Sequence, residues 1–345
     1  MPDPIGVHLV GSVPFASAHE VFTKAVELLP GRLATLSDGE TGQRSTFVLW
    51  QETVFPDEVR RFPSKHTAAS PPSFECRLEH IGSLGYFEAA ISSYQVFRKL
   101  RDTGVIPENI RFQICLPTPL NPVCLLVDEK WQNKVLPLYE ARLIEDIERI
   151  QENIAESDLA FQFDMPCEFG FLEAERGRPA SSGFFQPFFG PGTKEFILES
   201  VIRLSKSIRP RAHLGFHLCY GDGGHRHFIE PESMHLLVEI SNALVRQVEP
   251  FHPISWFHMP CPKNRSDFAY YEPLRRLAIG ETKLFLGLVH PHDENGTRER
   301  IKVAQLAYGK SFGISTECGM GRTPVGDIRS IFTISKAVSS LYTIP

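Results

Sequence analysis

No stretch of this 345-residue chain approaches the roughly 20 consecutive apolar residues that a membrane span requires. The N-terminus, MPDPIGVHLVGSVPF, also lacks a basic region followed by an apolar one, so a cytoplasmic protein with no membrane partner is expected. Positive charge is short as well: 36 Lys and Arg stand against 41 Asp and Glu, for a formal net charge of −5. With no basic excess and no Lys or Arg run there is little to neutralise phosphates, which argues against nucleic acid as a partner. The seven cysteines (Cys76, Cys115, Cys124, Cys167, Cys219, Cys261 and Cys318) form no close-paired framework and are odd in number. In a reducing compartment they are expected as buried thiols, metal ligands or catalytic groups rather than disulfides. Internal repeats and low-complexity tracts are missing too.

What is present is an alternation. Apolar, β-branched runs at 6–12, 33–39, 110–117, 159–166, 213–220, 254–260, 283–290 and 312–319 read as eight strands. Amphipathic segments lie between them at 17–29, 86–103, 137–155, 193–207, 231–247, 268–278, 297–309 and 325–341. In the third of these, Leu138, Ala141, Ile144, Ile147 and Ile150 recur at spacings of three, a helical stripe directed at a core. Eight strand–helix units predict an α/β fold, a single (β/α)8 TIM barrel spanning residues 1–345. The competing open doubly wound sheet would carry a glycine-rich dinucleotide fingerprint after the first strand, and none is there. Two long connections, 40–85 and 167–192, follow strand C-termini and read as lids or binding loops. The second contains SSGFFQPFFGPG (181–192), either an aromatic cluster that packs on itself or an apolar wall over substrate.

In such a barrel the site forms at the C-terminal rim of the strands. The predicted strand ends carry Asp38 with Glu40, Gln113 with Thr118, Asp164 with Glu168, His217 with Cys219, His258, His290 with Asp293, and Glu317 with Cys318. His217 and Cys219 stand two apart on one strand, so both side chains face the same side. A His-x-Cys on one strand and a Cys on another can converge on tetrahedral Zn²⁺. Taken singly, each is more often a buried small hydrophobe or a satisfied imidazole; their joint placement is what favours a metal.

These residues also carry a resemblance. HLCY (217–220), CG (318–319), VGS (10–12) and DGETGQR (38–44) resemble motifs of the C-terminal catalytic barrel of cobalamin-independent methionine synthase. The chain is also similar to the uroporphyrinogen decarboxylase branch of the same barrel superfamily, without that branch's arginine-rich N-terminal motif. The resemblance implies Zn²⁺ held by His217, Cys219 and Cys318. The family's fourth ligand, a glutamate ending the sixth strand, has no counterpart in ISWFHMPCPKNRSD (254–267), where His258 is the nearest substitute and Cys261 a less favoured one. It further implies methyl or alkyl transfer to a thiol, with acidic rim residues on the amino acid or donor. Asp38, Glu40, Asp164 and His290 are accordingly candidate catalytic groups. Ser12, Arg44, Gln113, Thr118, Glu168, Phe184, Phe185 and Glu317 are candidate substrate contacts.

Alternatives stay open at this level. Glu40 can pair with Arg44, four residues on, as a structural ion pair. His290, His292 and Asp293 can form a second metal site, although a substrate-facing His290 followed by a helix capped at Asn295 or Thr297 is the better reading. The glycine-rich YGDGGHRHF (220–228) matches no phosphate-loop spacing. Three functions remain: a zinc-dependent transferase acting on a small molecule such as a thiol; a metal-assisted lyase, decarboxylase or hydrolase on a small, partly apolar carbonyl compound; and a binding protein without turnover.

Overall fold

The computed structural model describes residues 2–63, 74–178, 185–190, 192–221 and 226–342. In chain order the elements are α1 (Ala18–Leu28), β1 (Thr35–Ser37), α2 (Tyr86–Asp102), β2 (Arg111–Pro117), α3 (Leu120–Leu126), α4 (Glu129–Asn153), β3 (Leu159–Met165), α5 (Pro166–Glu175), α6 (Thr193–Lys206) and β4 (His213–Leu218). They continue with α7 (His235–Val248), β5 (Trp256–Pro260), α8 (Phe268–Tyr271), β6 (Lys283–Val289), α9 (Glu294–Tyr308), β7 (Gly313–Thr316) and α10 (Val325–Ala337). The strands form one parallel sheet in the order β1 to β7, flanked by helices, an α/β architecture consistent with a TIM-like barrel.

Seven of the eight expected strands are found among the described residues. The first, 6–12, is not one of them. Gly6 takes φ of +77°, which interrupts extended backbone, and only isolated bridges form, Val7 to Ile314 and Ile5 to Ser340. The segment is nonetheless bonded on both sides. Val7 N–H donates to the Arg32 carbonyl at 2.8 Å, and His8 N–H to that of Ile314 at 2.9 Å.

Two helices went unread. In α5 every residue from Pro166 to Glu173 is buried, and α3 is buried at six of its seven positions. A helix buried on nearly all sides has no exposed polar face to set off a stripe for periodicity to find. Thus the first part of the expected 167–192 loop is α5. The stripe proposed for α4 is also displaced. Its buried line runs through Val135, Tyr139, Leu143, Ile147 and Ile150, with Leu138, Ala141 and Ile144 only half-buried. The helix starts eight residues before Pro137, capped by the Asp128 carboxylate accepting from Lys130 N–H.

Register places the chemistry. Pro117, Asp164, His217, His258 and Phe285 pair in succession across β2 to β6, so their side chains form one row on one face. Two residues earlier along the strands, Cys115, Gln162, Gly215 and Trp256 form another row.

Candidate metal centre and pocket

His217 is the fifth of six residues in β4, and Cys219 lies just beyond the strand end. Cys318 comes from the turn after β7. Their ligating atoms all lie within 4.8 Å of one another: Cys219 Sγ is 3.9 Å from Cys318 Sγ, which is 3.7 Å from His217 Nε2. Tetrahedral bonds of about 2.3 Å to sulfur and about 2.0 Å to nitrogen would set two sulfurs about 3.8 Å apart, and sulfur and nitrogen about 3.6 Å apart. The soft donor set and its spacing therefore fit Zn²⁺. The hydrogen bond with Cys318, together with burial, holds the Cys219 thiol well above the ordinary thiol range.

His258 stands behind this group rather than within it. Its Nδ1 is 2.6 Å from His217 Nδ1, and its Nε2 is 3.0 Å from the Thr316 carbonyl oxygen. Both ring nitrogens are therefore engaged away from the sulfurs. Burial, with the neighbouring imidazoles of His217 and His8, keeps His258 well below the ordinary histidine range. Cys261 is buried on the far side, its carbonyl accepting from His290 Nε2 at 3.0 Å.

His217, Cys219 and Cys318 all line a cavity of about 200 Å³. Glu40 and Asp164 share that cavity, as do Ser12 and Arg322. Phe47, Leu49, Leu125 and Phe228 supply apolar lining to the same cavity. Burial and the nearby Asp38 outweigh Arg44 and push the Glu40 carboxyl up to about 7. Burial and Glu40 likewise hold Asp164 well above the carboxylate range, although it accepts from Gln162 Nε2 at 2.8 Å. Ser12 Oγ accepts from Gly321 N–H at 3.0 Å, tying the N-terminal segment to the turn that carries Cys318.

Other expected site residues are held elsewhere. Arg44 pairs with Asp38, not with Glu40; Asp38 also accepts from the Ser93 hydroxyl at 2.6 Å and from Glu40 N–H at 2.9 Å. It is buried and braces the Glu40 turn. Gln113 is bonded to Thr35 and to the Leu9 and Val10 carbonyls, beneath the cavity. The Thr118 hydroxyl donates to Glu168, which Asn121 Nδ2 also approaches at 3.4 Å; burial pushes that carboxyl up to about 7. His290 is buried, with Nδ1 3.9 Å from Glu317, and does not line the cavity. Glu317 is 3.1 Å from His227 Nε2; burial opposes the effect, yet Glu317 and Glu230 push His227 up to about 9.

The second metal grouping does not assemble. His292 bonds Asp327 at 2.8 Å, and Asp293 bonds Arg300 at 2.9 Å. Asp293, not Asn295 or Thr297, occupies the position before α9. Phe184 and His225 lie outside the described residues. Phe185 is buried against Phe171 of α5 and Phe228, with ring centroids 5.5 and 5.2 Å apart, and Phe228 in turn lines the cavity.

Sequence reasoning missed Arg322, Phe47 and the buried pair His8 and Gln162, whose Nε2 and Oε1 are 2.8 Å apart. His8 was visible in GVHLVGS, but only the folded chain brings Gln162 of β3 to it.

Compared by structure, the chain is similar to a B12-independent methionine synthase from Shewanella sp. W3-18-1 solved in complex with selenomethionine. The TM-score is 0.57 at 14% identity, over 97% of this chain and 96% of that one. It is also similar to a Listeria monocytogenes protein described as a vitamin-B12-independent methionine synthase, with a TM-score of 0.54 at 12% identity over 99% of each chain. At these identities the likeness is one of fold, a parallel α/β sheet flanked by helices. By sequence, no family model and no curated protein matches. Among the described residues no helix is long and apolar enough to cross a membrane.

Proposed function

We propose that this chain is a zinc-dependent enzyme that activates a small thiol for methyl or alkyl transfer, working in the cytoplasm. The observation that carries the reading is the convergence of His217 Nε2, Cys219 Sγ and Cys318 Sγ on a cavity that also holds two buried carboxyls. His217, Cys219 and Cys318 would hold Zn²⁺, which when bound supplies the Lewis acidity that keeps a thiol as thiolate near neutral pH. Glu40 and Asp164 orient a polar or amine group of the substrate, and Ser12 contributes its backbone and hydroxyl to the same cavity. Phe47, Leu125 and Phe228 exclude water from it. The selenomethionine bound by the Shewanella structure supports a small, thioether-sized ligand for such a site. In this reading residues 5–12 serve as the eighth stave of a closed barrel, supported by their hydrogen bonds to Arg32 on one side and Ile314 on the other.

A second reading, a metal-assisted lyase, decarboxylase or hydrolase on a partly apolar carbonyl compound, is favoured by Glu40. A carboxyl poised near neutrality in the cavity can deliver a proton to a leaving group. The two separate by reactant requirement, since a transferase is silent without both thiol and donor.

Metal content by inductively coupled plasma mass spectrometry tests the common premise. About one zinc per chain is expected, lost in Cys219→Ser and in Cys318→Ser and kept in Cys76→Ser and Cys124→Ser. Equal zinc in all four variants would remove the ligand set. Glu40→Gln should keep zinc and weaken substrate binding.

A further inference from the structure

We propose that His258 is a positioning residue: its imidazole fixes which nitrogen His217 presents to a metal and how that ring is turned, so that the described residues supply three donors and leave one coordination position for a ligand. The inference rests on the zinc reading above and specifies the site further.

The hydrogen placement follows from what each atom can do. The Thr316 carbonyl only accepts, so His258 Nε2, 3.0 Å away, carries a hydrogen. His217 Nε2 is the nitrogen directed at Cys318 Sγ. To offer a lone pair there, His217 must keep its hydrogen on Nδ1, and that hydrogen then needs an acceptor. His258 Nδ1, at 2.6 Å, is that acceptor. Each ring nitrogen in the row has one role: Thr316 accepts from His258, His258 accepts from His217, and His217 is left with a free lone pair facing the sulfurs.

Packing holds the relay still. His258 is 0% exposed. Its centroid lies 4.6 Å from that of His217 and 6.0 Å from that of His8, whose own Nε2 is tied to Gln162. Phe285 stacks on His8 at 5.0 Å. Metal-bound histidines usually give their second N–H to a carboxylate, a carbonyl or water. An imidazole in that place does the same work without bringing a charge. A divalent cation with two thiolates and a neutral histidine then has no net charge, and three protein donors are the count of a site that keeps a position open.

The experiment is Zn²⁺ and Co²⁺ titration of metal-freed full-length protein, comparing wild type with His258→Leu, which removes the acceptor, and His258→Asn, whose Oδ1 restores one to His217. The leucine variant should bind zinc about 10- to 100-fold more weakly. The asparagine variant should return to within a few-fold of wild type, with Co²⁺ absorption bands at wild-type positions because the donor atoms are unchanged. Equal affinity in the leucine variant would overturn the positioning role. Asparagine as damaging as leucine, with displaced bands, would make His258 a ligand instead. A wild type that takes up neither ion overturns the metal reading itself and is recognised before any variant is compared. If the leucine variant does not fold, ¹⁵N-histidine spectra of wild type answer the same question: His217 protonated on Nδ1 supports the proposal, and protonated on Nε2 overturns it.

Discussion

Asp38 and Glu40 are two residues apart and differ in what surrounds them. Asp38 is buried against Arg44 and Ser93, whereas Glu40 faces the cavity. Removing the cation from such a pair strands a buried anion, so Arg44→Met should cost about 3 kcal/mol in chemical unfolding, and Asp38→Asn in the same chain should recover much of it. Glu168 gives the clearest pH signature. Burial raises its carboxyl to about 7 in the folded protein, so the stability it contributes is fully present below about 4.5 and is lost as pH rises through about 7. Glu168→Gln should therefore flatten the pH profile of the unfolding free energy across that window, gaining on wild type by up to about 3 kcal/mol at pH 8. At this scale His217, Cys219 and Cys318 were legible because the first two stand two apart at the end of one strand and the third follows a recognisable strand end. That Arg44 serves Asp38, and that His258 turns to His217, depends on rings and carboxylates meeting across strands, which spacing alone does not encode.

Among the elements, β4 shows how a small residue shapes a site. Gly215 shares its row with Trp256, and a Cβ placed there would overlap the indole, whose Nε1 donates to Gln162 at 3.2 Å directly beneath the histidines. Gly215→Ala should cost about 1 to 3 kcal/mol by overpacking, read as a lowered thermal midpoint. Pairing it with Trp256→Leu should recover part of the loss, because the clash is with one ring. Strands were easier to read than helices in this chain. Buried parallel strands are short apolar runs bounded by polar residues, while α3 and α5 are buried nearly all round and show no amphipathic stripe. The exposed outer face of α4 supplied enough polar residues to reveal a helix, although its core-facing line was misplaced by one side of the cylinder.

For the whole molecule, the eightfold alternation conveyed the architecture, and the difference lies at one seam, where Gly6 breaks the expected first strand. If residues 5–12 do act as a stave there, the Val7 and His8 amides, bonded to Arg32 and Ile314, should resist hydrogen exchange as strongly as those of β7. Fast exchange at both would leave the sheet open at that edge. The distribution of the sulfurs has a different consequence. Cys219 and Cys318 are 99 residues apart in the chain, with β5, β6 and β7 between them. A cation gripping both would close those strands and their helices into a ring, and in a denatured chain that kept its cation such a closure removes roughly 4 to 5 kcal/mol of conformational entropy. The chemistry at the centre of the fold would then also be its knot, and a chelator would act on the disordered polymer as much as on the folded one.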